Sequence, residues 1–281
     1  MSEHDRSVSA LPRTLKFFPV RNPLPRRLSM EEISSFNSRG YISGCPVFGR
    51  GEAELHRADF DAILSDFLAS GMDSYSIDRY QDRIAAIHDL ATHPAILDAV
   101  EDIVGPDIVC WATHYFCKLP GDDQMVAWHQ DASYWALTPS KTVTVWLAID
   151  DADEENGCMR VLPGSHLHGH LPWRETTGSD RNVLTQSIDD VGRLGEPVSI
   201  PLRAGEISLH SDLLVHGSLP NRSTRRRCGL TLRYCPPDVR AYWGWNEKSI
   251  ICRGSDPSGH WANVPRPESN VLFPSGVPGA G

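Results

Sequence analysis

The chain has 281 residues, of which 40% are hydrophobic and 22% charged, and its formal net charge is −9. That length suits one large domain or two modest ones, and the composition is that of a globular protein with a real core. The acidic balance argues against a nucleic-acid surface, although a local group of arginines can still attract a small anion.

No stretch approaches the roughly 20 apolar residues of a membrane span. Residues 1–25 carry charges but no apolar run of the kind a secretory signal needs. We therefore expect a soluble, cytoplasmic protein with neither a nucleic-acid nor a membrane partner; the oligomeric state stays open. The seven cysteines are odd in number and form no CxxC pair, so they read as reduced, mostly buried thiols rather than zinc ligands.

In chain order, residues 1–28 are rich in Pro and Arg without periodicity and read as an extended or mobile arm. Ser29-Met30-Glu31-Glu32 then fits a capping box, and Gly40 would end that helix. A second helix is expected over 55–69, with Phe60, Ile63, Leu64, Phe67 and Leu68 in one stripe. A third begins after Thr92-His93-Pro94, with Ile96, Leu97, Val100, Ile103 and Val104 on one face. Residues 29–105 are thus a mainly helical flank.

The pattern changes near residue 107. Short β-rich runs cover 108–118, 142–149, 159–162, 207–210, 213–216 and 228–235, punctuated by Gly, Pro and Asn. Many short strands with turn signals imply a sandwich or barrel over 107–236. The segment 164–197 is long, polar and poorly periodic, which marks a functional or mobile loop. Residues 237–281 form a C-terminal extension of what reads as one domain over 29–281.

The chemistry concentrates in Trp128-His129-Gln130-Asp131. On an extended segment, His129 and Asp131 point to the same face and can supply two adjacent metal positions. His216, in Val215-His216-Gly217-Ser218, is the best third ligand. Two His and one carboxylate on one side of a metal leave the opposite positions open, as in the facial triad of non-haem iron(II) oxygenases. An HxD alone occurs often by chance, and a lone His near a strand end is usually structural.

What lies downstream changes the balance. Asn221 to Arg227 leads into a strand on which Arg227, Gly229, Thr231 and Arg233 share one face, with Cys228, Leu230, Leu232 and Tyr234 on the other. Arg225 and Arg226 read as a solvated turn. Two arginines on one buried strand face call for anionic partners, and Arg227 can hold the far carboxylate of a dicarboxylic cosubstrate in a bidentate fork.

At these residues the sequence resembles the phytanoyl-CoA dioxygenase (PhyH-like) family of iron(II)/2-oxoglutarate oxygenases. The resemblance is carried by Trp128-His129-Gln130-Asp131 with Tyr134, Val145-Trp146-Leu147-Ala148-Ile149, and Asn156-Gly157-Cys158-Met159 leading to Leu162-Pro163-Gly164-Ser165-His166. His216-Gly217-Ser218, Pro220-Asn221-Arg222-Ser223, and Arg227 before 230–234 complete it, over about residues 29–236. It implies a mainly β fold with flanking helices, a double-stranded β-helix (jelly-roll, cupin-like) core. It also implies iron held by His129, Asp131 and His216, and 2-oxoglutarate held by Arg227, eleven positions after His216, with Ser218 and Trp146 lining its pocket. Lys118 sits in a Lys-Leu-Pro-Gly segment similar to one the family often has, and a solvated strand end is the equal alternative.

The resemblance further implies oxidation, most simply hydroxylation, of a C–H bond of a small molecule with O2, releasing succinate and CO2. Epimerisation, desaturation or cyclisation are variants of the same chemistry. The tail, with Trp243-Gly244-Trp245, is similar to bacterial natural-product (antibiotic-biosynthesis) members, including the halogenating branch. Asp131 fills the position that a small residue takes in halogenases, which points to oxidation without halogen transfer.

Candidate substrate-facing residues by position are Tyr134, Trp135, His114, His210, Thr231 and Arg233; for each, core packing or a structural role is the alternative. The acidic balance mildly disfavours a large polyanion such as a CoA thioester. A zinc hydrolase or a non-catalytic ligand-binding jelly roll are the rival readings, and neither gives the arginine a purpose.

Overall fold

The computed structural model describes residues 8–270. Helix α1 (Met30–Arg39) starts at the expected capping box: the Ser29 hydroxyl accepts the Glu32 N–H, the Glu32 carboxylate accepts the Ser29 N–H, and Gly40 closes the helix in the left-handed region. Strand β1 (Tyr41–Pro46) follows directly, a short edge segment that the sequence pattern did not separate from the helix end. Helix α2 (Arg50–Ala69) begins five residues earlier than expected, because Glu52 caps the Gly49 N–H and the first turn stays polar. Helix α3 (Ala85–Ala91) had no cap signal to announce it. Helix α4 (Pro94–Val104) opens on Pro94, with the His93 ring accepting the Ala95 N–H.

With β1, nine further strands, all after residue 107 as the punctuation implied, build two opposed sheets, and four two-residue strands form two small ladders. A six-stranded antiparallel sheet runs in the order β1, β10 (Glu206–Ser211), β5 (Val143–Ala148), β12 (Arg227–Cys235), β2 (Ile108–Lys118), β14 (Ile250–Arg253). A four-stranded sheet runs β3 (Val126–His129), β11 (His216–Ser218), β6 (Met159–Val161), β9 (Val198–Ile200). β4 (Leu137–Thr138) pairs with β13 (Arg240–Ala241), and β7 (Arg174–Glu175) with β8 (Gln186–Ser187). Consecutive partners such as β10–β5 and β5–β12 are far apart in sequence, which is the jelly-roll connectivity.

Strand alternation assigns the two faces of the large sheet. Val143, Val145 and Leu147 of β5 and Cys228, Leu230, Leu232 and Tyr234 of β12 join Phe60, Ile63, Ile96 and Val100 from the helices in one apolar core. All six β5 and all nine β12 residues are buried, because helices cover one face and the second sheet the other. The inward face of β12 therefore carries Arg227, Gly229, Thr231 and Arg233 between the sheets.

The described part of the N-terminal arm, residues 8–28, is mostly extended and packs against the domain. The buried Asp102 carboxylate accepts the backbone N–H groups of Arg26, Arg27 and Leu28 at 2.7–2.9 Å. Arg13 donates to the Ala132 and Trp135 carbonyls at 2.7 Å each. Residues 1–7 and 271–281 of the expected arm and extension lie outside the described residues.

Arg226 is also a correction. It is not a solvated turn residue: it makes a fork to both Asp150 oxygens at 2.7 and 3.0 Å and reaches Asp61 on α2. Arg225 is exposed and pairs with Asp153 and Glu155. Six of the seven cysteines are buried and all seven are free.

Candidate active site

The site lies between the sheets at the end where β3 and β11 pair, with His216 directly opposite His129. Gly217 permits that pairing: a Cβ there would stand 2.6 Å from the Val126 carbonyl oxygen. The reason His129 and Asp131 meet differs from the expected one. β3 ends at His129, and Asp131 opens a single 3₁₀ turn, Asp131–Ser133, so a turn rather than strand alternation swings the carboxylate to the imidazole.

Asp131 Oδ1 stands 3.6 Å from His129 Nε2 and 3.9 Å from His216 Nε2, and one ligand atom from each of the three residues lies within 4.8 Å of the others. Second contacts orient all three. His129 Nδ1 meets the Ala127 carbonyl at 2.8 Å and His216 Nδ1 the Leu214 carbonyl at 3.0 Å, which leaves both Nε2 lone pairs facing inward. The Thr144 hydroxyl donates to Asp131 Oδ2 at 2.9 Å, leaving Oδ1 for the shared point.

Charge state follows from the surroundings. Burial alone would raise the Asp131 carboxyl, but the imidazoles of His129 and His210, with His216 and Arg233, carry it well below the ordinary carboxylate range. Burial, then the neighbouring His129, pushes His216 well below the usual imidazole value, which leaves it a neutral imidazole. Two imidazoles and one carboxylate suit a divalent transition metal with open positions.

An inner cavity leads from the triad to Arg227 and is lined by Trp146, Ser218, Met159, Thr231 and His210. The Arg227 guanidinium is 2% exposed. It donates to the Phe116 carbonyl and the Ser218 hydroxyl, both at 3.3 Å, and lies 5.6 Å from the Trp146 ring. Its Nε has no hydrogen-bond partner among the described residues. A buried guanidinium with long, sparse bonds and no carboxylate among the described residues is the donor set that an incoming dicarboxylate fits. Trp146 lies flat over Gly229, where a Cβ would be 2.0 Å from the ring. Lys118 pairs in register with Arg227 and is fully buried, not solvated; its ammonium donates to the Gln124 and Leu219 carbonyls. Burial and the adjacent Arg227 lower it to about 6.

A second, outer cavity of about 210 Å³ adjoins the first and shares Phe116, His129, Asp131 and Arg233 with it. It gathers Tyr134, Trp135, His114 and Arg233 from the expected substrate-facing residues. Thr231 and His210 face the inner cavity instead, where the Thr231 hydroxyl bonds the His114 carbonyl and His210 Nε2 lies 3.6 Å from Asp131 Oδ2.

The sequence reading missed Asp78, Arg79, Trp111 and Leu184 in the outer cavity and Phe116 in both. It also missed Thr144, which period-two alternation with Trp146 on β5 could have revealed. Leu184 comes from the long 164–197 segment, which is held down by β7–β8 and by the Gln186 N–H donating to the Tyr134 hydroxyl at 3.0 Å. Trp245, from the tail, lines the outer cavity, while Trp243 is half exposed.

Comparison with known proteins agrees with this geometry. Phytanoyl-CoA dioxygenase, peroxisomal, of Bos taurus is 29% identical over 182 residues, covering 62% of this chain and 47% of that protein. A probable alpha-ketoglutarate-dependent hypophosphite dioxygenase of Stutzerimonas stutzeri is 31% identical over 158 residues, covering 55% of this chain and 54% of that protein. The chain thus spans about half the length of these curated relatives. Among solved structures, the apo form of the non-heme monooxygenase ThoJ superposes with a TM-score of 0.72 at 30% identity, covering 84% of this chain and 88% of that one. A family model described as phytanoyl-CoA dioxygenase (PhyH) matches residues 36–229, more than half of the chain. The triad, the buried arginine and the jelly roll therefore stand in a chain that belongs to the phytanoyl-CoA dioxygenase family.

Proposed function

We propose that the chain is an iron(II)- and 2-oxoglutarate-dependent dioxygenase that hydroxylates an unactivated C–H bond of a small molecule, consuming O2 and releasing succinate and CO2. The observation that carries this reading is Arg227: a buried, acid-free guanidinium at the far end of the cavity that begins at the triad. A zinc hydrolase would have no use for it.

In this reading His129, Asp131 and His216 hold the metal, and Arg227, with Ser218 and Trp146, receives the distal carboxylate of the cosubstrate. Bound iron and 2-oxoglutarate supply the oxidising power when O2 is present, through decarboxylation of the cosubstrate. The chain's own part is geometric. The Ala127 and Leu214 carbonyls hold the imidazole tautomers, Thr144 fixes the carboxylate, and Trp146 walls the cosubstrate against solvent. The outer cavity presents substrate beside His129 and Asp131.

The names of the relatives support the chemistry: one is an alpha-ketoglutarate-dependent dioxygenase and another a non-heme monooxygenase. Asp131 favours oxidation over halogen transfer. The finer part of the proposal is a cytoplasmic enzyme acting on a secondary-metabolite intermediate, with residues 29–281 as one catalytic unit; this rests on the resemblance to natural-product members.

The test is anaerobic addition of iron(II) and 2-oxoglutarate to the purified protein. A weak visible metal-to-ligand charge-transfer band is expected, and Arg227→Ala should lose it. No band in the wild type, together with no succinate under O2, overturns the proposal.

A further inference from the structure

We infer that Arg233 binds a carboxylate of the substrate, so that the substrate is a small carboxylic acid whose adjoining flat apolar part lies among Trp111, Trp135 and Trp245. The inference rests on the oxygenase reading above and adds the substrate class to it.

Arg233 is 9% exposed and projects from β12 between the inner and outer cavities. Its guanidinium carbon lies 5.2 Å from the Trp135 ring and 5.8 Å from the Trp111 ring. Those contacts hold the plane of the fork without using its N–H groups. Among the described residues its Nε has no hydrogen-bond partner, and the carboxylate oxygen that comes within 4.0 Å of the guanidinium is Asp78 Oδ1.

Asp78 does not complete that fork. It is 42% exposed and shared, with Oδ2 at 3.8 Å from Arg79 Nε and Oδ1 at 3.7 Å from His114 Nδ1. His114 is half-buried, its surroundings shift it below the usual imidazole value by desolvation, and its Nε2 already meets the Tyr75 carbonyl at 2.8 Å. Two guanidiniums and two carboxylates, Asp78 and Asp131, line the outer cavity, but the Arg233 fork is left without a carboxylate at hydrogen-bond distance among the described residues. Asp131 feels the Arg233 charge but does not complete its fork: its oxygens face Thr144 and the three imidazoles, and neither lies within 4.0 Å of the guanidinium.

A buried cation keeps its place at low cost only when an anion completes it. The bidentate geometry of a planar guanidinium matches a carboxylate. The remaining wall is aromatic: Trp111 packs edge-on against Trp135 with ring centroids 4.7 Å apart and lies 5.7 Å from Trp245. At about 210 Å³ the cavity is below the roughly 300–1,000 Å³ of drug-sized sites. It thus encloses one acid group and a small planar body, which Arg233 would hold beside the metal ligands.

The experiment uses the full chain loaded with manganese(II), which does not turn over, and saturating 2-oxoglutarate. Indole-3-acetate and phenylacetate are titrated by calorimetry against their amides. The acids should bind the wild type about tenfold or more tighter than the amides. Arg233→Gln should abolish that preference, and Arg233→Lys should keep part of it. Equal binding of acid and amide, or no binding of either, overturns the assignment. So does an acid preference that survives Arg233→Gln but disappears in Arg227→Ala, since the acid would then be occupying the cosubstrate end. Should Arg233→Gln fail to fold, the wild-type comparison and Arg233→Lys still decide. A normal charge-transfer band with iron(II) and 2-oxoglutarate, alongside absent acid preference, removes this inference alone; absence of the band removes the oxygenase reading.

Discussion

Two ends of one strand face, six residues apart, are built for different tasks. At the Arg227 end of β12 the cation is 2% exposed and sits on the Ser218 hydroxyl and a backbone carbonyl, under an indole that only a glycine can accommodate. At the Arg233 end the cation stacks on two indoles, the nearest acid is half exposed, and the wall includes Leu184 from a long loop and Trp245 from the tail. The closed end is made of strands and backbone, which suits a ligand that never changes. The open end borrows side chains from loops, which is where specificity can vary without disturbing the barrel.

The strongest way to break the comparison is to remove what both ends share. Asp131→Ala should eliminate iron binding and reduce succinate formation to background, exceeding the roughly 10–100-fold loss typical when only a supporting contact is removed. Metal content and succinate release check it. Retained iron at full stoichiometry would mean that the two cavities do not meet at a metal.

Next, Arg227→Ala should weaken 2-oxoglutarate by roughly 30- to 5,000-fold, the equivalent of the about 2–5 kcal/mol lost when one partner of a buried charge pair is deleted. Titration of the charge-transfer band with 2-oxoglutarate measures it. Gly229→Ala acts on the same end through sterics: its Cβ would fall 2.0 Å from Trp146, so the indole must move. Overpacking of this kind costs about 1–3 kcal/mol. The melting temperature should fall by several degrees and the cosubstrate affinity with it.

The pH response should also come from the closed end. Lys118 is lowered to about 6 by burial and by Arg227. Between about pH 6 and its ordinary value near 10.4 the unfolded chain holds a proton that the folded chain has released, so this group makes stability rise with pH. The wild type should therefore gain melting temperature relative to Lys118→Met as pH is raised from 6 to 9. An opposite trend would place the ammonium against an acid rather than against Arg227.

The smallest effect should be Leu184→Ala, which trims the outer wall only. Its 2-oxoglutarate affinity should stay within about twofold, and its melting temperature should barely change, as for substitutions away from packed features. A large loss of cosubstrate binding there would erase the distinction between the two ends.

Much of this was legible because the signals are local. The Ser29–Glu32 box and Gly40 mark α1 through contacts spanning a few residues. The two-residue period of β12 puts Arg227, Gly229, Thr231 and Arg233 on one face, and the structure keeps that register until the irregularity after Arg233. The seven apolar partners from β5 and β12 on the opposite face are equally readable. Helix α3 and strand β1 were not, since neither has a cap or an alternating pattern of its own.

The site divides the same way. Spacing nominated His129, Asp131 and His216, and the downstream strand nominated Arg227; chain order and residue type were enough for that, because each motif is short. Only the fold decides that a turn after β3, not strand alternation, aims Asp131, that Thr144 fixes its free oxygen, and that Arg226 is a bridge to α2 rather than a solvated residue. Only the fold brings Asp78, Trp111, Leu184 and Trp245 around Arg233. These residues are tens of positions apart, and no local periodicity encodes their meeting. Hydrophobic burial on the two faces of the large sheet draws their segments together, and the side chains left pointing inward become neighbours as a consequence.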